Sequence, residues 1–433
     1  MTRKPAPILP IDGPAMSPSD ASSTRRAWLA RSATAVSALA LPFQPARAQP
    51  VRSASIDGAA LAGSLRSSPE ARLIQIYRAI AAADPQALPL AAVLVRDVPS
   101  FQLGQLVYAD LLLARSGSFP SFTTVTDGSP EVRGQLQKLR TEAHRRLASF
   151  QEMPPAGTVP EQVLQLAHNV RHVVVVDASH SRVYVFEHQA NSLQLIRSFY
   201  ASIGQAGFDK RVEGDLRTPL GVYFITNRLD DSQVEELYGI GALPLNYPNE
   251  HDRRLGRTGS GIWLHGVPRA TYSRSPYATE GCVALANDDM AYLMEMLQTR
   301  RTPVVVAEEV NWVRPANQVT ERRSLESILS QWQQARARGD SGALQVLQTA
   351  DYNVRGSSLS RKVSVGAENS PTTRETESQA EWRDVSMFRW KRQSEVAIVN
   401  YTAVVPKQAR STERRQYWVR EQGRWRLFFD GIV

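Results

Sequence analysis

Cysteine is almost absent from this sequence: Cys282 is the one cysteine in 433 residues. A single thiol excludes an internal disulfide framework, because a disulfide needs two cysteines of the same chain. Cys282 is therefore either an inert cysteine packed in a core or a reactive thiol that the protein uses. The composition alone leaves both explanations open, and the neighbouring residues have to decide between them.

Long apolar runs and cofactor motifs are absent as well. No internal segment reaches the roughly 18 apolar residues that a membrane-spanning helix needs. The sequence has no GxGxxG, CxxC or HExxH motif, so we expect no cofactor and no metal. It also has no RNP, helix-turn-helix or zinc-finger pattern, so we expect no nucleic-acid partner despite the net charge of +9.

The first 48 residues contain the three parts of an export signal. In order, these parts are the twin-arginine-like pair Arg25-Arg26, the apolar run Ala33–Phe43 and the small-residue cleavage pattern Ala46-Arg47-Ala48. We therefore expect residues 1–48 to be a twin-arginine signal peptide and the mature protein to be periplasmic. Since the periplasm oxidises thiols, an unpaired cysteine there requires a functional explanation.

The mature chain divides at proline-rich and polar breaks into three segments, which predicts a multidomain fold. Residues 49–160 have apolar residues at helical spacing and predict a small all-α module. Residues 161–312 are rich in strand patterns and predict a β-rich domain. Residues 318–433 begin with an amphipathic helix and end in long strands, and this α+β order resembles the NTF2-like cone fold. A homodimer through the first or the third segment is compatible with this organisation.

Apolar runs and alternating patterns predict the strands of the second segment. They lie at His172–Val176, Arg182–Phe186, Leu193–Tyr200, Gly221–Thr226, Gly261–Leu264 and Thr302–Ala307. After Cys282, Asn287 is expected to cap a helix, and apolar residues follow it along one helical face. In the third segment, Glu421-Gln422-Gly423 predicts a hairpin between the last two strands.

His265 and Cys282 are the candidate catalytic pair. A thiol with an ordinary pKa of about 8.5 is mostly protonated at neutral pH and needs a base to become nucleophilic. His265 ends a predicted strand upstream of Cys282, and a loop and return of the chain would bring the two side chains together. Gly281 permits a close approach of backbone to a substrate carbonyl, so the amides of Gly281 and Cys282 are expected to bind an oxyanion.

The pair lies in a longer pattern: His265-Gly266, a loop, and then Thr-x-Gly-Cys at 279–282. With the runs at 214–223, 247–249 and 256–261, this pattern resembles the L,D-transpeptidase catalytic domain of the YkuD type over about 171–307. The resemblance implies that Cys282 attacks the carbonyl between the third residue of a peptidoglycan stem peptide and D-alanine. It also implies that His265 is the base and that a backbone carbonyl at Gly266 orients it.

Two positions depart from the pattern of many L,D-transpeptidases: Glu280 replaces a histidine, and Ala284 stands where arginine or asparagine is usual. In this respect the run at 279–285 looks closer to a subgroup with cell-shape L,D-carboxypeptidases and a lipoprotein-releasing hydrolase. We expect an L,D-transpeptidase that remodels the cell wall, with an L,D-carboxypeptidase or related hydrolase as the alternative. A non-catalytic peptidoglycan-binding scaffold is the alternative of another class.

Further polar residues near the motif are candidates for substrate contact. Thr279, Arg257 and Tyr247 are expected to bind the stem peptide, Arg257 through its charge. A solvated surface is the alternative for Arg257 and its basic neighbours. His251 is followed by Asp252 on a polar stretch, and we expect this pair to be solvated rather than catalytic.

Overall fold

The computed structural model describes residues 68–116, 129–151, 153–189, 192–352, 380–404 and 411–433. The expected signal peptide at 1–48 lies outside the described residues. None of the described helices is both long enough and apolar enough to cross a membrane.

Helices form the N-terminal part of the described chain, as the helical spacing of its apolar residues predicts. They are α1 Pro69–Ala81, α2 Ala87–Asp97, α3 Gln102–Arg115 and α4 Pro130–Gln151. Ser68 caps α1, since its hydroxyl accepts a hydrogen bond from the amide of Ala71 at 3.1 Å, and Pro69 suits the first turn. Leu73 and Ile76 of α1 are fully buried against apolar residues of α2 and α3, which gives this region a core of its own.

Strands dominate the middle of the chain, and the strands expected there are present with their ends displaced by a few residues. The first are β1 Val159–Pro160, β2 Val163–Gln165, β3 His172–Asp177, β4 Arg182–Gln189, β5 Ser192–Gly204 and β6 Gly221–Phe224. The next are β7 Leu229–Asp230, β8 Gly241–Pro244, β9 Trp263–His265, β10 Tyr277–Thr279, β11 Val283–Leu285, β12 Pro303–Ala307 and β13 Trp312–Val313. Two helices, α5 Glu250–Arg254 and α6 Asn287–Met296, lie between them.

Most of these strands form one mixed sheet in the order β6-β12-β3-β4-β5-β11-β9-β8-β7, with β10 beside β5. Every residue of β3 and β12 is buried, which explains why both read as uninterrupted valine runs in the sequence. Parallel pairing of β9 with β11 places the strand that ends at His265 beside the strand that follows Cys282.

The C-terminal part of the chain is mainly a sheet, preceded by helices. Its elements are α7 Val319–Arg338, α8 Ser341–Leu347, β14 Glu381–Lys391, β15 Glu395–Val404, β16 Ser411–Glu421 and β17 Arg424–Ile432. Gly339 ends α7 in the left-handed conformation that favours glycine, and Gln422-Gly423 forms the predicted hairpin turn with positive φ at both residues. The NTF2-like resemblance and the homodimer stay predictions.

The C-terminal sheet is antiparallel, in the order β17-β16-β15-β14-β2. Its last strand, β2, comes from the segment expected to begin the β-rich domain. Because side chains alternate along a strand, one face, with Met387 and Val399, packs on α7. The other face, with Phe388 and Ile398, belongs to the same apolar core as β3 and β12. The C-terminal sheet thus covers the middle region directly.

Candidate active site

Strand register brings the candidate base and nucleophile to one place. In the parallel pair of β9 and β11, Ala284 lies beside His265, and paired residues of neighbouring strands point to the same face. Cys282 precedes Ala284 by two positions and continues that face just before the strand begins. The structure therefore places Cys282 and His265 on one side of two adjacent strands.

The imidazole of His265 has a defined tautomer. Its Nδ1 lies 2.6 Å from the carbonyl oxygen of Gly266, and a carbonyl only accepts hydrogen bonds. Nδ1 therefore carries the proton, which leaves the lone pair on Nε2. Burial lowers the pKa of His265 to about 4, and the positive charge of Arg274 lowers it further. At neutral pH the ring is uncharged, so Nε2 is able to accept a proton.

The thiol of Cys282 is protonated at rest. Its Sγ donates a hydrogen bond to the carbonyl of Gly261 at 3.2 Å. Burial raises the pKa of the thiol to about 11, and the negative charge of Glu280 acts in the same direction. The charges of Arg274 and Lys210 act in the opposite direction. The resting site thus holds a neutral thiol and, on the same face of the two strands, a neutral imidazole.

A tight turn shapes the chain at the nucleophile. Thr279 is buried, and its hydroxyl donates to the carbonyl of Cys282 at 2.7 Å and accepts from the amide of Gly281 at 3.1 Å. Gly281 has φ +127°, and a Cβ there would lie 2.6 Å from the carbonyl oxygen of Arg217. Only glycine fits this position, and the close approach is to the Arg217 backbone.

This turn corrects two expectations from the sequence. The amide of Gly281, expected to bind an oxyanion, is already hydrogen-bonded to the Thr279 hydroxyl. Thr279, expected to contact substrate, uses its hydroxyl to hold the turn. Both residues therefore fix the position of Cys282, and the amide of Cys282 is the expected oxyanion donor that remains.

Asn287 fixes the chain on the other side of the base. Its side-chain carbonyl accepts from the amide of Val267 at 3.1 Å, and its amide group donates to the carbonyl of Val267 at 2.9 Å. The expectation that Asn287 caps α6 is wrong: Ala286 occupies the cap position, and Asn287 is the first helical residue. The side chain instead holds the segment that follows Gly266, whose carbonyl orients His265.

Across the described ranges, from residue 68 to 433 with their gaps, no three His, Cys, Asp or Glu side chains converge as a metal site would require.

The comparisons with known proteins place the middle region in a family. The profile of the L,D-transpeptidase catalytic domain, YkuD, matches residues 171–306, which include both Cys282 and His265. The chain contains an L,D-transpeptidase catalytic domain. No curated protein sequence matches the chain.

Solved structures resemble a larger part of the chain than this domain. Bd1075 of Bdellovibrio bacteriovorus is 23% identical, with a TM-score of 0.51 over 64% of this chain and 98% of that one. The helical cell shape determining protein Pgp2 of Campylobacter jejuni is 17% identical, with a TM-score of 0.48 over 63% and 96% of the two chains. The likeness to Bd1075 shows a shared fold.

Two residues expected to bind substrate are part of the packing of the L,D-transpeptidase domain. Arg257 is buried and pairs with Asp252 at 3.1 Å and with Asp209 at 3.3 Å, so its charge is neutralised inside the domain. Tyr247 is also buried, and its hydroxyl donates to the carbonyl of Thr258 at 3.0 Å. Neither side chain presents a free polar group to a stem peptide.

The His251-Asp252 pair is not solvated, contrary to expectation. Both residues are buried, and His251 Nε2 lies 2.8 Å from the hydroxyl of Ser394 at the start of β15. Burial lowers the pKa of His251 to about 4. The neighbouring Arg254 bonds to Glu421 at 2.8 Å. This part of α5 therefore joins the L,D-transpeptidase domain to the C-terminal sheet.

Two residues of the site carry no motif that marks them in the sequence. The ring of Tyr238 meets the ring of His265 edge to face, with centroids 5.1 Å apart. Arg274 donates from Nη2 to the carbonyl of Leu237 at 3.1 Å, which places it beside Tyr238. Tyr238 ends the short 3₁₀ helix Glu236–Tyr238 and Arg274 lies in a loop, so neither α-helical nor strand spacing singles them out.

The helical region holds the loop that carries Arg274. This loop, residues 266–276 between β9 and β10, is called here the β9–β10 loop. Tyr272 packs on Phe101 with ring centroids 4.5 Å apart, and its amide bonds to the Ser100 carbonyl at 3.1 Å. Ser273 donates to the carboxylate of Glu142 in α4 at 2.8 Å. The helices thus fix the chain between the candidate base and nucleophile.

Proposed function

We propose that the protein is a cysteine-dependent acyltransferase that cleaves the L,D bond of peptidoglycan stem peptides through a thioester on Cys282. The observation that carries the proposal is the neutral pair in the matched domain: a protonated thiol and an imidazole whose Nε2 bears the lone pair. The proposal includes export to the periplasm by the signal at 1–48, and domains at 49–160, 161–312 and 318–433.

The proposed reaction runs in two halves. His265 Nε2 takes the proton of Cys282 Sγ while the sulfur attacks the carbonyl of the third stem residue. The amide of Cys282 binds the oxyanion, the C–N bond breaks, and Nε2 returns the proton to the leaving D-alanine amine. An acceptor then gives its proton to Nε2 and attacks the thioester carbonyl, the C–S bond breaks, and Nε2 returns the proton to the Cys282 sulfur.

We propose a side-chain amine of another stem peptide as the acceptor, which makes the enzyme an L,D-transpeptidase. Glu280 is exposed, and its negative charge acts on Cys282. A carboxylate at this place would attract a cationic amine to the thioester. Ala284 is buried beside His265 and offers no polar group to an acceptor, which favours water and a carboxypeptidase as the second candidate.

The test is product analysis with purified tetrapeptide muropeptides. The wild-type protein is expected to give 3–3 cross-linked dimers, whereas tripeptide alone would assign the carboxypeptidase reaction. Cys282→Ala is expected to abolish both products and to prevent a covalent carbapenem adduct in the intact mass spectrum.

The matched control is Asp288→Asn, which changes an exposed residue on the first turn of α6 and should leave both readouts unchanged. A Cys282→Ala protein that processes tetrapeptide at the wild-type rate would overturn the proposed function. Absence of any turnover together with an unreactive thiol would favour the peptidoglycan-binding scaffold instead.

A further inference from the structure

Arg274 is a cation of the site that no carboxylate of the described residues pairs with. It lies half-buried on the β9–β10 loop, and its Nη2 donates to the carbonyl of Leu237 at 3.1 Å. Among the residues that the structure describes, no carboxylate forms an ion pair with it. Arg269 on the same loop differs, since it is exposed and pairs with Asp231 at 2.6 Å and with Glu236.

The backbone around Arg274 is fixed at several points. Tyr200 donates from its hydroxyl to the carbonyl of Arg274 at 2.9 Å. The next two carbonyls accept from the Ser202 hydroxyl at 2.5 Å and from the Ile203 amide at 2.8 Å. The guanidinium is therefore presented from a rigid support, as an anion-binding group needs to be.

Removing a charged group from water costs free energy when no partner of opposite charge compensates for it. Burial lowers the pKa of Arg274 from its ordinary value, and the groups that oppose this effect are Cys282 and Tyr238 rather than a carboxylate. An arginine that is partly desolvated in the site and has no carboxylate paired with it is suited to receive a carboxylate from a ligand.

The position of Arg274 indicates which carboxylate this is. In the proposed reaction His265 protonates the leaving amine, so the leaving group lies on the His265 side of the thiol. Tyr238 contacts the His265 ring, and Arg274 is anchored at the adjacent residue, Leu237, on that same side. In a stem peptide that ends in D-alanine, the terminal carboxylate is one carbon away from the leaving nitrogen.

We propose that Arg274 binds the terminal carboxylate of the leaving residue, so that the site selects stem peptides whose scissile bond is followed by one residue with a free carboxylate. This inference rests on the proposed function and names the group by which that site recognises its donor.

The test compares a tetrapeptide with its C-terminal amide, using kcat/KM for wild type and for Arg274→Gln. Wild type is expected to prefer the carboxylate about tenfold to hundredfold, the range of a charge-assisted hydrogen bond. Arg274→Gln is expected to lose the preference by falling to the amide rate on the carboxylate substrate, and Arg274→Lys to keep part of it. Arg269→Gln is the matched control and is expected to keep the full preference.

The ratio of kcat/KM for the two substrates distinguishes recognition of the carboxylate by Arg274 from a purely structural role of Arg274 in the β9–β10 loop. A purely structural arginine would slow both substrates equally, so an unchanged ratio in Arg274→Gln overturns the inference while the proposed function stands. Failure of wild type to process either peptide would overturn the proposed function, and the inference with it.

Discussion

At the scale of single residues, desolvation rather than an ion pair determines the protonation states of Cys282 and His265. Burial raises the pKa of Cys282 to about 11 and lowers the pKa of His265 to about 4. Between these values the resting enzyme holds a thiol and a neutral imidazole, in contrast to cysteine enzymes with a preformed thiolate. In the proposed reaction, the proton of Cys282 therefore has to move as the sulfur attacks.

This arrangement predicts the pH dependence of alkylation at Cys282. Iodoacetamide reacts with the thiolate, so its rate with the folded protein should be low at pH 7 and still rising above pH 8.5. The same chain unfolded in urea provides the control, since an exposed thiol titrates near about 8.5. Because Cys282 is the one cysteine, intact mass spectrometry reports this reaction alone. A rate already at its maximum below pH 7 would contradict the neutral pair.

The sequence predicts that Cys282 and His265 come together because the pattern around each of them is local. His265-Gly266 and the turn before Cys282 are short runs whose geometry depends on their own residues and on one strand pairing. One partner of Arg257 is not local in this sense, because Asp209 is far from it in the chain and only the fold shows that the two charges pair. For the same reason no motif marks Arg274, whose surroundings come from several separate segments.

At the scale of elements, a buried charge network joins the helical region to the catalytic domain. Glu70 of α1 accepts from Arg146 of α4 at 2.9 Å and from Arg182 of β4 at 2.8 Å. Arg146 also bonds to Glu142 and lies over the ring of Tyr200, 3.8 Å from its centroid. These contacts surround the residues that support the β9–β10 loop, so the helices help to position the site.

Periodicity predicts the helices themselves but not this network. Leu73 and Ile76 mark the buried face of α1 because apolar residues recur at helical spacing. Glu70 and Arg182 read in the sequence as ordinary surface charges, since charged residues are seldom buried unless they are paired. Only the packing of α1 against β4 shows that they meet.

Replacing Glu70 should destabilise the protein strongly. Glu70→Gln leaves Arg146 and Arg182 buried with one charge fewer between them, and the loss is expected to be about 3–5 kcal/mol in the free energy of unfolding. Asp97→Asn is the matched control, because Asp97 also accepts from two arginines but does so at the surface. Urea unfolding measures both, and equal midpoints for the two variants would contradict the buried network.

The same network makes the stability of the folded protein depend on pH, and the pKa of Glu70 gives the direction. Burial acts to raise the pKa of Glu70, but the charges of Arg182 and Arg146 outweigh it and hold the pKa below its ordinary value. A depressed pKa means that the carboxylate contributes stability above its unfolded pKa and that this contribution is lost as the pH falls. Wild type should therefore lose more stability than Glu70→Gln on acidification.

At the scale of the whole molecule, the C-terminal sheet is part of the structure that holds the catalytic domain. Its inner face shares one apolar core with β3 and β12, and β2 leaves the middle region to become its fifth strand. The sequence predicts the long strands of this sheet. It does not say what each face covers, because that depends on which elements pack there. The C-terminal sheet is a separate segment of the sequence, but in the structure it covers one side of the catalytic domain.

A substitution in this shared core should therefore unfold both parts together. Phe388 is fully buried on β14 and meets Phe224 of β6 edge to face, with ring centroids 5.7 Å apart. Phe388→Ala should lower the free energy of unfolding by about 3–5 kcal/mol. Tryptophan fluorescence would report chiefly on the C-terminal part during urea unfolding, because five of the eight tryptophans lie at 332–425. Alkylation of Cys282 would follow the catalytic domain. Both midpoints should fall by the same amount, since the two parts bury one core. Val346→Ala, at an exposed position of α8, should leave both unchanged. Two separate transitions, with only the fluorescence midpoint lowered, would show that the sheet folds apart from the domain it covers.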